Sequence, residues 1–231
     1  MLRDQSLPQV FMWRPRAMFV LLLSYLVLFG MLIGAQGVLW AELIATLGLS
    51  KASFGAVQLA GPLLSVALLM LGAQLAHWFG KKKLALMALA LLALSNVMLA
   101  WAGTWLALVG ALLLAGAGTA LLEIAANSAT LDWEQAMGRS VINLLHAGFS
   151  AGAVVGAFGA GLVLGQDLRY PSVFILLAAL CCLVLLVSLP ARFPPSASSE
   201  AQAPGPMAAL KLLTSQRAML MLAVLCVMGI V

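Results

Sequence analysis

The sequence predicts an all-α polytopic membrane protein, and three observations carry that reading. Of its 231 residues, 64% are hydrophobic and 8% charged, whereas an ordinary soluble domain is about 45–50% apolar and about 25% charged. The apolar residues gather into runs close to the roughly 20 that carry a helix across a hydrocarbon core. The charged residues fall in short clusters between those runs. A soluble enzyme, a secreted disulfide scaffold and a disordered tail are all excluded, because none has so little polar surface.

The elements follow in order. Segment 1–16 ends in the basic Arg14-Pro15-Arg16 and precedes a first span over 17–39. That run is too long for a signal-peptide core, and further spans follow it, so it reads as a retained helix. A polar link containing Glu42, Ser50, Lys51 and Ser53 leads to a second span over 54–76, which Gly61-Pro62 is expected to kink. His77 to Lys83 reads as a tight turn before a third span over 84–102. Gly103-Thr104-Trp105 is a hairpin connection to a fourth span over 106–129. The charged stretch Leu131 to Ser140 links it to a fifth, 141–164, and Gln166 to Arg169 leads to a sixth, 170–190.

Residues 17–190 therefore read as a six-helix bundle. The Pro/Ser/Ala-rich segment 191–217 reads as a cytoplasmic linker. Residues 218–231 open a seventh apolar run of about 14 residues, roughly 21 Å as a helix, against a core of about 30 Å. The chain is expected to break off within that truncated seventh helix.

Orientation follows from the basic residues. Arg3, Arg14, Arg16, Lys81, Lys82, Lys83, Arg139, Arg192, Lys211 and Arg217 fall on one side, and only Lys51 and Arg169 on the other. This places the N-terminus in the cytoplasm of a multi-pass plasma (bacterial inner) membrane protein. The net charge of +5 resides in these loops, with no basic face interleaved with aromatics, so nucleic acid is not an expected partner. Cys181, Cys182 and Cys226 lie in apolar runs and read as small hydrophobes, without metal-ligand spacing. No Walker loop, zinc motif or dinucleotide fingerprint appears, and no cofactor is expected.

Polar groups at membrane depth are costly and mark candidate sites. In the fourth span Glu123 and Asn127 are four apart and share a helix face; in the fifth, Asn143 and His146 are three apart and share another. The two helices are consecutive and antiparallel. Glu123 pairs in depth with His146, and Asn127 with Asn143, about midpoints near Glu134-Gln135, which puts the first pair roughly 10 Å inside. If those faces meet, a four-residue polar cluster results. Gly148, Gly152, Gly156 and Ala160 recur every fourth residue, a stripe suited to close helix packing. The same helix contains Gly148-Phe149-Ser150-Ala151-Gly152, a G-x-S-x-G pattern, but without the preceding strand that a nucleophile elbow needs.

At these residues the chain resembles the N-terminal half of a major facilitator superfamily transporter, in its fucose-permease-like branch. Leu121 to Asn127, Gly138-Arg139, Asn143 and Phe149 to Gly152 are similar to that branch's fourth-to-fifth helix signature. Ala73 to Lys82 stands where the superfamily has G-x-L-A-D-R-x-G-R-K. Leu75-Ala76, Gly80, Lys81 and Lys82 match, while His77 replaces Asp and Trp78 the first Arg. Gly30-Met31 and Leu47 to Gly55 resemble the first hairpin, with Gln36 and Gly37 where fucose permeases carry an acid.

The resemblance implies two six-helix halves, each of paired three-helix repeats, with the solute near the midplane. It implies a proton-coupled symporter of a small polar, sugar-like solute. Glu123 would be the coupling or solute-contacting group, and Asn127, Asn143, His146 and Gln36 would serve as hydrogen-bonding partners. The implied partners are solute, protons, the lipid bilayer and the missing C-terminal half. Two other readings stand beside it: a transport-dead membrane scaffold or remnant, and an intramembrane serine hydrolase acting through Ser150.

Overall fold

The computed structural model describes residues 14–166 and 168–194, all helical apart from short connections and with no strand among them. Helices run α1 Pro15–Leu47, α2 Lys51–Gln58, α3 Ala60–Met70, α4 Gly72–Phe79, α5 Lys81–Ala100, α6 Trp105–Met137, α7 Ile142–Leu164 and α8 Tyr170–Ser188. Taking Lys51–Met70 as one, six of these segments are long and apolar enough to cross a membrane. The expected seventh helix over 218–231 lies outside the described residues, as does the linker 191–217 beyond Phe193 and Pro194.

Local chemistry places the helix ends. Pro15 opens α1 with its preset φ, and Pro171 stands in the first turn of α8. The Ser50 and Thr104 hydroxyls cap α2 and α6 by accepting from Ser53 N–H (3.0 Å) and Ala107 N–H (3.3 Å). Hydropathy understates α1 and α6. Both are 33 residues long, roughly 50 Å, because nothing stops them where the apolar run ends. α1 continues through Glu42 to Gly48, and α6 through the charged stretch from Leu131 to Gly138. The second span departs the other way. It breaks at Leu59 and again at Leu71. Pro62 has no N–H for the Gln58 carbonyl, so the ladder fails just before it. The expected turn over 77–83 contracts to Gly80, whose φ of +75° favours glycine.

The packing has an internal exchange symmetry. α1 packs on α7 and α3 on α6; α5 packs on α6, and α8 on α1; α5 and α8 pack on each other. Exchanging the first three spans with the last three maps these contacts onto themselves, as two three-helix repeats require. Both equivalent seams are glycine-lined. A Cβ on Gly152 or Gly156 would lie 2.2 Å from the carbonyl oxygens of Val27 and Met31. One on Gly116 would lie 2.1 Å from that of Gly61. α5 is the most enclosed span, with 56% of its apolar window buried, against 17% for α7 and 22% for Lys51–Met70.

Candidate functional site: a cleft between α1, α6 and α7

α6 and α7 follow each other in sequence but are not a principal packing pair. α1 stands between them, seated on α7 and touching α6. The faces of α6 and α7 thus meet across a cleft of about 220 Å³ rather than directly. Tyr25, Leu26 and Phe29 of α1 line it, with Leu122, Glu123, Ala126 and Asn127 of α6 and His146 and Phe149 of α7. Helical spacing makes the surface: Tyr25 and Phe29 are one turn apart, as are Glu123 and Asn127, and His146 and Phe149. The Phe29 and Phe149 rings lie 5.2 Å apart at 56°.

Of the residues singled out in the sequence, the structure brings Glu123, Asn127 and His146 to this one cleft. Asn143 is exposed at the first turn of α7 and does not line it, because α1 rather than α6 occupies that helix's buried face. Gln36 is half-buried on α1, seven residues beyond Phe29 and so roughly 10 Å further along the same face, outside the lining. Gly148, Gly152 and Gly156 form the seam against α1.

The polar groups at the helix ends beyond the cleft are closed on one another. Lys81 forms a buried ion pair with Asp132 of α6. Lys82 Nζ donates to the Leu189 carbonyl at the end of α8 (2.6 Å). Trp133 Nε1 donates to the Pro15 carbonyl (2.9 Å), and the Arg139 guanidinium stands 5.3 Å from the Trp133 ring centre. Glu134 accepts from Val141 N–H (2.5 Å), Ile142 N–H (2.8 Å) and the Ser140 hydroxyl (2.8 Å), capping α7 from the end of α6. Tyr25 joins cleft and belt: its ring lines the cleft while its hydroxyl donates to Ser188 Oγ (2.8 Å).

A family model described as Major Facilitator Superfamily matches residues 17–231. The chain belongs to that superfamily. It is also similar to an uncharacterized MFS-type transporter of Yersinia pestis, 30% identical over 153 residues, covering 64% of this chain and 40% of that protein. The chain thus spans well under half the length of this curated relative. No solved structure matches it.

Superfamily membership points to membrane transport by an integral multi-pass protein rather than to an enzyme. The G-x-S-x-G pattern is in the middle of α7, and Ser150 Oγ donates to the carbonyl of His146 in its own helix (3.3 Å). Among the described residues no three His, Cys, Asp or Glu side chains gather as a metal site.

Tyr25, Phe29 and Asp132 escaped the sequence reading, and Phe149 entered it as part of a motif without a role at the site. Phe29 and Phe149 look like core residues in apolar runs. Tyr25, one of two tyrosines in the chain, was the available signal, since a phenol within an apolar run needs a partner. Asp132 sits in a stretch that reads as a solvated link, and nothing local announces that Lys81 lies against it.

Proposed function

We propose that this superfamily member is the N-terminal bundle of a proton-coupled secondary transporter of the fucose-permease-like branch. It moves a small polar solute by alternating access, with Glu123 as the coupling carboxyl. One observation carries the reading: on helices apolar enough to cross a membrane, Glu123, Asn127 and His146 converge on one cleft, and their side chains make no hydrogen bond with the described residues. Polar groups so placed mark solute and ion pathways. At about 220 Å³ the cleft falls below the roughly 300–1,000 Å³ of a complete small-molecule pocket, which fits one wall of a shared site.

A second six-helix bundle supplies the other wall. The faces it would cover are the apolar, poorly buried ones: Leu63 and Val66 of α3, and Val154 and Phe158 of α7, are each more than half exposed. The belt end, with Lys81 to Lys83, faces the cytoplasm of a bacterial inner membrane. A cysteine at the exposed Lys83 then reacts with impermeant reagents only after cells are opened, and labelling of intact cells reverses the topology.

The coupling reading is tested by Glu123→Gln in the whole transporter reconstituted in vesicles. Glutamine keeps the shape but carries no exchangeable proton, so accumulation driven by a proton gradient is lost. Accumulation at the wild-type level places the coupling group elsewhere.

A further inference from the structure

The lining of the cleft restricts what solute it takes. Three of its nine residues are polar, and the other six are Tyr25, Leu26, Phe29, Leu122, Ala126 and Phe149. Among the described residues, the side chains of Glu123, Asn127 and His146 make no hydrogen bond, and Glu123 has the His146 imidazole as its electrostatic neighbour. Among the described residues, no Lys or Arg lines the cleft.

Three solute classes can be weighed against that surface. An anion meets the Glu123 carboxylate, and no Lys or Arg among the described lining residues offsets it. A polyol needs a partner for every hydroxyl, yet two thirds of the lining offers aromatic or aliphatic surface, where an unpaired hydroxyl is penalised. An organic ammonium with an apolar ring or short chain meets neither obstacle. Its N–H groups donate to the carboxylate as charge-assisted bonds. Its charge also interacts favourably with aromatic faces, and Phe29 and Phe149 present two rings 5.2 Å apart beside that carboxylate. The apolar body covers Leu26, Leu122 and Ala126.

We infer that the solute is a small amphipathic organic cation, its ammonium on Glu123 and its apolar part against Phe29 and Phe149. The inference rests on the transport reading above and departs from the sugar-like solute that the branch resemblance implies. The titratable groups facing Glu123 across the cleft are His146 of α7 and Tyr25 of α1. Those on the other helices packed against α6 stand near helix ends: Arg16 and Glu42 of α1, Lys51 of α2, His77 of α4, and Lys81 to Lys83 of α5, with Lys81 held by Asp132.

The test is titration calorimetry on the whole transporter in lipid nanodiscs, with 2-phenylethylammonium, its neutral isostere 2-phenylethanol, and glucose. The ammonium binds, and the alcohol and sugar bind at least tenfold more weakly. Glu123→Gln weakens ammonium binding tenfold or more, the range for a hydrogen bond to a charged group. Phe149→Leu, which keeps bulk but removes a ring face, weakens it about fivefold or more. Circular dichroism of each variant establishes that it is folded. Equal binding of alcohol and ammonium overturns the proposal, as does preferential binding of glucose, retention of ammonium affinity in Glu123→Gln, or no ammonium binding by the folded transporter at millimolar concentration. The two readings fail separately. If Glu123→Gln loses proton-driven accumulation but keeps solute affinity, the coupling role survives and the cationic solute does not.

Discussion

α6 carries two acids nine residues apart in opposite circumstances. Asp132 is 5% exposed and held by Lys81, within a belt where α1, α5, α6 and α8 tie their ends together. Glu123, two and a half turns away, opens on a cleft and has no hydrogen bond from the described residues. The same charge on the same helix thus serves two ends. Where the protein supplies a bonded partner, the acid fixes a helix contact; where the described residues supply no hydrogen bond, the acid is available to something that arrives. Burial and partner change together: Asp132 is buried and paired, whereas Glu123 is partly exposed and without a bonded partner among the described residues.

The contrast is sharpest when the paired acid is removed. Asp132→Ala leaves the Lys81 ammonium enclosed without its counter-charge, and breaking a buried pair from one side costs about 3–5 kcal/mol. The expected result is a large loss of stability in detergent, read by thermal or denaturant unfolding. A change below about 1 kcal/mol would mean that Lys81 reaches water readily and the pair is only a surface contact.

The glycine seams test the same distinction without charge. A side chain on Gly156 would collide with the Met31 carbonyl and force α1 from α7, whereas Gly159 on the same helix has nothing within 4 Å of a built Cβ. Gly156→Leu is expected to destabilise by about 1–3 kcal/mol. Gly159→Leu should be neutral or slightly favourable, since leucine is the better helix former. Parallel melts of the two variants suffice, and equal melting temperatures would place the stripe on an open face.

Much of this was legible in the sequence, for identifiable reasons. The six spans were, because a bilayer demands about 20 apolar residues per crossing and the chain punctuates them with charge. The ends of α1 and α6 were not, because hydropathy marks where lipid begins while a helix runs on to its next stop, Gly48 and Gly138. Glu123, Asn127 and His146 stood out because polar residues at that depth are rare. Their meeting across a cleft floored by α1 did not, because helix adjacency is a tertiary fact and sequence neighbours α6 and α7 turned out to be separated. The Lys81–Asp132 pair was hidden similarly: its partners lie 51 residues apart, and only the packing of α5 on α6 brings them together.

The smallest expected effect on stability is also the most informative. Glu123→Gln removes no protein hydrogen bond, since Glu123 makes none with the described residues. It also relieves the cost of keeping a carboxylate away from bulk water without a bonded partner. The attraction to His146 is lost, but a partly exposed side chain beside an open cleft gains little from such a pair. The two changes oppose each other, so stability should stay within about 0.5 kcal/mol of wild type or rise slightly. The same substitution at the other acid, Asp132→Asn, discards the counter-charge of Lys81 and should cost clearly more. Unfolding both variants side by side reads the comparison directly. If Glu123→Gln loses as much as Asp132→Asn, the cleft carboxylate is holding helices together, and a bonded partner for it must be sought within the protein.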